Sequence, residues 1–234
     1  MHQKTNKLLV LLLIMGVLCT SFPINAFASR TFSITWLNGK YDYVSGFSEG
    51  LAIVKNLNLY GFIDATGKEV IPVIYEDADL FKDGLARVKK DGRYGYIDKT
   101  GKEVIPIIYY NIGSFSEGLA WIKMGDKYNP DKYGYIDKTG KEVIPLIYNE
   151  AGDFNEGLAR VGKHLYRSQY AYGFVDKTGK EVIPLTYQQV GDFKEGVAWV
   201  SNGNKRGLID KTGNIILPLE YRQIREFSEG LAAV

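Results

Sequence analysis

Cysteine and histidine are almost absent from this chain, which has one cysteine and two histidines in 234 residues. Cys19 and His2 both fall in the first 28 residues, where Lys4 and Lys7 precede an unbroken apolar run from Leu8 to Val17 and Ala26-Phe27-Ala28 follows. That order of charge, apolar run and small residues is the pattern of a secretory leader cut after Ala28. Thr20, Ser21, Pro23 and Asn25 dilute the run, which stays short of the roughly 20 apolar residues a membrane span needs. No span is therefore expected once the leader is gone. Leu18, ahead of Cys19, is not the small residue that precedes a lipidated cysteine. The exported chain keeps one imidazole, His164, so disulfides and a zinc-type His/Cys ligand set are excluded. No metal or other cofactor is expected.

Charge of one sign is also missing. The 29 basic residues include Lys4 and Lys7, so the exported chain sets 27 basic residues against 27 acidic ones. With zero formal charge there is no electrostatic case for binding nucleic acid or an anionic membrane.

What the chain does contain is a repeat. The glycine of Phe-x-(Glu/Asp)-Gly-(Leu/Val)-Ala recurs at Gly50, Gly84, Gly118, Gly157, Gly196 and Gly230, at intervals of 34, 34, 39, 39 and 34 residues. Asp-x-Thr-Gly recurs in the same register at Asp64, Asp98, Asp137, Asp176 and Asp210, and a proline at Pro72, Pro106, Pro145, Pro184 and Pro218. Three independent markers in one register define a tandem array. A leader (1–28) and a half unit (29–49) precede five repeats, 50–83, 84–117, 118–156, 157–195 and 196–229, and the start of a sixth.

Within one unit, Leu85 to Lys89 is β-prone, Asp91-Gly92 is a turn pair, Tyr94 to Ile97 is a second strand, and Asp98-Lys99-Thr100-Gly101 turns into Glu103 to Tyr109. Each unit of 34 to 39 residues thus reads as a three-stranded antiparallel meander in an all-β chain. Tyr75, Ala78 and Phe81, three apart in the linker, fit a single helical or 3₁₀ turn ended by glycine. Both faces of the third strand, Ile105/Ile107/Tyr109 and Val104/Pro106/Ile108, are apolar, which predicts burial between stacked neighbours. Pro106 has no N–H to give a central ladder, so this strand is placed at a sheet edge or a bulge. The expected architecture is an open twisted β-solenoid. The alternative is a closed β-propeller-like ring of about six blades, with the incomplete first and last units completing one another.

The run Asp131-Lys132-Tyr133-Gly134-Tyr135-Ile136-Asp137-Lys138-Thr139-Gly140-Lys141-Glu142-Val143-Ile144-Pro145 resembles the WG-repeat family, also called KWG repeats, over residues 41 to 234. The name-giving tryptophan is replaced at every copy, by Tyr60, Tyr94, Tyr133, Tyr172 and Arg206. The resemblance implies a β-rich, mostly bacterial protein and no common activity.

Few residues carry candidate chemistry. One carboxylate per Asp-x-Thr-Gly turn falls short of the six to eight oxygens calcium takes, and aspartate followed by glycine is what such a hairpin turn requires. Gly46-Phe47-Ser48-Glu49-Gly50 matches a nucleophile elbow, but equivalent copies carry Lys82, Asn155 and Lys194 in place of Ser48, and an elbow leads into a long helix. Glu76, Asp77 and Asp79 form an acidic cluster with no evident partner. No catalytic residue is assigned. The variable position of Leu-Ala-x-Val reads Ile53, Arg87, Trp121, Arg160, Trp199 and Ala233. Alternation puts it on the face opposite Ala and Val, so the units should align these residues in one row. Two insertions, Met124 to Lys132 and Gly162 to Ala171, add Tyr128, Lys163, His164, Tyr166, Arg167 and Tyr170 on one edge of the array, often the binding edge. Trp121, Trp199, Arg87, Arg160, Tyr128, Tyr166, Tyr170 and Arg167 are the candidate ligand-binding residues.

These observations lead us to expect an exported, non-catalytic module that binds or scaffolds a protein or glycan ligand at the cell surface or outside the cell. A hydrolase acting on cell-envelope glycan, or the accessory domain of one, is the competing reading. Tyr94, Tyr133 and Tyr172 are expected to stack unit on unit, with Gly95, Gly134 and Gly173 where a side chain would block a neighbour.

Overall fold

A computed structural model describes residues 40–125, 131–165 and 169–224. Residues 1–28, read above as a leader, and Gly230 and Ala233 lie outside the described residues. The fold is all-β, and the described residues form no helix.

Five antiparallel sheets of four strands follow one another, each with its strands in chain order. They are β1 (Tyr43–Ser48), β2 (Leu51–Asn56), β3 (Leu59–Asp64) and β4 (Glu69–Tyr75); β5 (Asp77–Ala78), β6 (Leu85–Lys90), β7 (Arg93–Asp98) and β8 (Glu103–Tyr109); β9 (Asn111–Ile112), β10 (Leu119–Met124), β11 (Lys132–Asp137) and β12 (Glu142–Tyr148); β13 (Glu150–Ala151), β14 (Leu158–His164), β15 (Tyr170–Asp176) and β16 (Glu181–Tyr187); and β17 (Gln189–Val190), β18 (Val197–Ser201), β19 (Arg206–Asp210) and β20 (Ile215–Tyr221). The three long strands of each unit are the expected meander. In the second to fifth sheets the linker supplies a fourth, two-residue strand in place of the expected helical turn, and then a hairpin turn; in the first sheet the fourth strand, β1, has six residues. Lys82 and Leu85 exchange both backbone hydrogen bonds, at 2.9 and 3.1 Å, around Asp83 and Gly84, which both have positive φ. That is the two-residue turn whose twist matches flanking strands, and Glu49-Gly50, Glu117-Gly118, Glu156-Gly157 and Glu195-Gly196 repeat it.

The core lies between sheets. Ala86, Val88 and Ile97 pack with Phe81 against Leu51, Ile53, Phe62, Ile71 and Tyr75 of the first sheet. The opposite face of the second sheet, Tyr96, Ile105 and Tyr109, meets Ile112, Ala120, Ile122 and Ile136 of the third. The same division recurs at the next two junctions. At each of these junctions the later sheet contributes alanine with valine or isoleucine, and the earlier one an aromatic residue, Phe62, Tyr96, Tyr135 or Phe174. The motif phenylalanine seals each junction, with ring centroids 4.9 Å apart for Phe62 and Phe81, 5.1 Å for Tyr96 and Phe115, 5.0 Å for Tyr135 and Phe154, and 4.7 Å for Phe174 and Phe193. Such pairs add about 0.5–1.5 kcal/mol beyond the area they bury.

Pro106 sits on an edge strand and in a bulge. Between the pairs Tyr94↔Tyr109 and Tyr96↔Ile105 the register shifts by two residues, and the proline falls in the extra length, where no ladder donor is needed. The expected burial of both faces of this strand fails on the proline side, because Pro106 is exposed and Ile108 is 51% exposed. An outermost strand has no further neighbour to cover it.

The Asp-x-Thr-Gly turns are built alike. Asp98 Oδ1 accepts from Thr100 N at 2.8 Å, Thr100 Oγ1 at 2.6 Å and Lys102 N at 3.1 Å, while Gly101 takes φ +83. The threonine hydroxyl first, with the backbone donors, holds the carboxyl of Asp64, Asp98, Asp137 and Asp176 below the usual range and takes Asp210 down to about 2. This is the turn role read from the sequence.

Candidate binding surface

The row read from Leu-Ala-x-Val exists in the fold. Ile53, Arg87, Trp121, Arg160 and Trp199 occupy one register position, opposite Phe62, Tyr96, Tyr135, Phe174 and Leu208. In the first four sheets this is the face turned toward the following sheet. Ile53 is buried, Arg87, Trp121 and Trp199 are half-buried, and Arg160 is exposed.

Arg87, Arg160 and Trp121 each meet an acidic residue of a linker. Arg87 Nε lies 2.9 Å from Asp79 Oδ2, and its Nη1 donates to Ile112 O at 3.2 Å. Arg160 Nε lies 3.1 Å from Asp192 Oδ1. The Trp121 indole N–H donates to Asp153. Partial burial pushes the Asp153 carboxyl above its ordinary value, the Trp121 bond opposes this, and Asp192 adds to it. Trp121 and Trp199 lie directly over Gly113 and Gly191. Trp121 is tilted on Tyr133 at 5.8 Å, and the Arg206 guanidinium sits 4.4 Å from the Trp199 ring. The surface thus alternates ion pairs with indoles, a chemistry suited to stacking on flat groups and to hydrogen-bonding polar ones.

Tyr170 pairs with His164 at the end of the β14–β15 hairpin, its ring 5.2 Å from the imidazole and 5.9 Å from Tyr172. Tyr128, Tyr166 and Arg167 lie outside the described residues. Tyr94, Tyr133 and Tyr172 occupy equivalent places but do not stack on one another. Their rings meet partners in their own sheets: Tyr94 with Arg87 and Lys89, Tyr133 with Trp121 and Lys123, and Tyr172 with Tyr170. The second aromatic of the motif makes the contact between sheets instead, since its side chain points at the next unit. Tyr96 and Tyr135 reach across to donate to Gly113 O at 2.7 Å and Gly152 O at 2.8 Å. Burial pushes the Tyr96 hydroxyl up to about 12 and Tyr135 higher still. The glycines between these tyrosines do exclude a side chain, but the obstacle is the paired strand of the same sheet. A Cβ on Gly134 would stand 2.5 Å from Ile144 O.

Sequence reasoning missed a second set of contacts, the ties made by the motif glutamates. Glu117 accepts from Gly157 N at 3.0 Å and pairs with Lys177 Nζ at 2.9 Å, both in the next unit. Glu49 does the same with Gly84 and Lys99, and Glu156 with Gly196 and Lys211. Asp83, one methylene shorter, keeps only the lysine, Lys138 at 3.1 Å. The glutamate bonds hold the carboxyls of Glu49, Glu117 and Glu156 below their ordinary value, the lysine first. Ser48, the centre of the apparent nucleophile elbow, donates its hydroxyl to Phe81 O at 2.7 Å, another tie between units.

No curated protein matches the chain. Solved structures with a similar course include Hsv2p from Kluyveromyces lactis (10% identity, 74% of this chain and 62% of that one, TM-score 0.42). A eukaryotic initiation factor (13%, 77% and 54%, 0.49) and the WD40 domain of Toxoplasma gondii coronin (9%, 76% and 57%, 0.40) are also similar. The chain spans less than two thirds of each of these. The model of the WG containing repeat matches residues 36–60, 60–94, 94–128, 133–164, 172–205 and 207–234. Six tandem matches over nearly all of residues 36–234 make this protein a member of the WG-repeat family.

Proposed function

We propose that this protein is an exported, non-catalytic repeat module that binds a protein or glycan ligand through the row of Arg87, Trp121, Arg160 and Trp199. The observation that carries the reading is the row itself. Scaffold positions are uniform from unit to unit, whereas this one position changes between arginine and tryptophan while staying partly open. A position that keeps no one residue type from unit to unit is free to present one to a ligand. The repeated carboxylates are engaged in turns and in ties between sheets, which supports binding over catalysis.

Screening the mature chain against cell-wall glycan, common polysaccharides and peptide arrays tests the proposal. Trp121→Ala and Trp199→Ala should each weaken binding by about 1–3 kcal/mol, the scale of an aromatic hot spot. Turnover of a glycan, abolished by changing one carboxylate, would establish the hydrolase reading instead. As to architecture, four-stranded antiparallel sheets that run from a short linker strand to a proline-bearing edge have the form of propeller blades. This form supports the ring over the open solenoid. X-ray scattering should then give a radius of gyration of about 17 Å, the value for a compact chain of this length, and a clearly larger one indicates an open array.

A further inference from the structure

The row changes character at its start. Ile53 takes the place of arginine or tryptophan, and beside it a cleft of about 610 Å³ opens across the first three sheets. Ile53, Leu80, Leu85 and Phe115 supply its apolar wall. Leu85 is half-exposed there, whereas its equivalents Leu51, Leu119 and Leu158 are buried. Arg87, Lys82 and Lys138 supply its cationic groups, and Asp79 and Asp83 its anionic ones.

The opening at the Ile53 end of the cleft follows from one pair of residues. A tryptophan in the row needs a glycine at the linker position two before the motif phenylalanine, because the indoles of Trp121 and Trp199 fill the space a Cβ on Gly113 or Gly191 would take. In the first unit that position is Ser45, whose hydroxyl accepts from Ile53 N at 2.9 Å. Serine there excludes an indole, isoleucine is too short to cross the junction, and the space stays open.

Charge narrows the occupant. Asp79 holds Arg87 at 2.9 Å and Asp83 holds Lys138 at 3.1 Å. Lys82 has no ion-pair partner among the described residues, so the rim carries one uncompensated positive charge beside an apolar wall. The volume lies within the range of small-molecule sites. We propose that this cleft binds an aromatic or branched apolar group bearing a carboxylate. The apolar part rests on Ile53, Leu80 and Phe115, and the carboxylate faces Lys82. Either a free small acid or a peptide ending in such a residue offers this chemistry. The proposal deepens the binding-module reading but stands on residues of its own.

The test is titration of the ¹⁵N-labelled mature chain with 3-phenylpropionate, with 3-phenylpropylamine, and with a short peptide ending in phenylalanine as free acid and as amide. Amide shifts at Leu85 and Phe115 are followed. The acid should bind about threefold or more tighter than the amine, the scale of one solvent-screened charge contact. Tighter binding of the free-acid peptide than of the small acid identifies a peptide source, and the reverse a small acid. Ser45→Gly combined with Ile53→Trp should fill the cleft and weaken binding about tenfold or more. Leu80→Asp, at an exposed position, should do the same and decides the matter should the double variant not fold. Trp121→Ala should change nothing here. Equal binding of acid and amine, undiminished binding by the folded filled variant or by Leu80→Asp, or no shift with any probe overturns the proposal. Loss in Trp121→Ala alone would move the ligand to the row and overturn it too.

Discussion

Gly134→Ala should cost far more stability than the size of one methyl group implies. Gly134 pairs with Ile122 on one side, and on the other the bulge of β12 presses against it. A Cβ would lie 2.5 Å from Ile144 O, 2.8 Å from Pro145 C and 2.9 Å from Leu146 N. All three are backbone atoms, so no rotamer change relieves the contact, and the edge strand must move by roughly 0.5–1 Å to restore ordinary separations. Overpacking of this kind costs about 3 kcal/mol, and Gly134→Val costs more. Gly118 in the same sheet is the control, since its φ is +90 but open space surrounds the added Cβ. Alanine there costs only left-handed strain, about 1–2 kcal/mol. Leu165→Ala, at a half-exposed residue of the insertion, should stay within about 0.5 kcal/mol. At roughly 2–4 °C per kcal/mol for a domain of this size, Gly134→Ala should melt about 6–12 °C below the parent by circular dichroism. A loss no larger than that of Gly118→Ala would refute the argument that the bulge needs this glycine.

Asp83→Glu restores the missing methylene at the second junction, where Lys138 is held but the following motif glycine is not. The variant should gain about 0.5–1.5 kcal/mol in urea unfolding, the net worth of one hydrogen bond, and a loss would show that Asp83 is shaped for that junction. The ties also predict an acid limb. Glu49, Glu117 and Glu156 have folded values depressed below the ordinary 4.5, so their contribution is present above 4.5 and is lost as pH falls through the lower folded values. Urea midpoints measured from neutral pH to below 4.5 should decline, and replacing all three by glutamine should flatten part of that decline. A triple variant with an unchanged acid limb would assign the loss to the turn aspartates.

Much of this fold was legible because its determinants are local. The Asp-x-Thr-Gly turn is set by one side chain bonding within four residues, and proline excludes itself from a central ladder wherever it occurs. Repetition then multiplied each local signal five times. Local reasoning misread the linker for the same reason. Tyr75, Ala78 and Phe81 have helical spacing, yet Tyr75 ends β4, Ala78 lies in β5 and Phe81 seals the junction with Phe62. A two-residue strand is too short to show any period.

The number and phase of the units, the three long strands of each, their turns, and the one position per unit that varies between arginine and tryptophan were all set by the order of residues along the chain. Which residues bind unit to unit was settled by packing. The motif glutamate meets its glycine partner 35 or 40 residues on, and a tryptophan stands only where a linker glycine admits it. The first tyrosine of each motif stays within its sheet while the second aromatic crosses to the next. Those outcomes depend on which face a side chain takes and on how closely two backbones approach, quantities that come into being only when the sheets are packed.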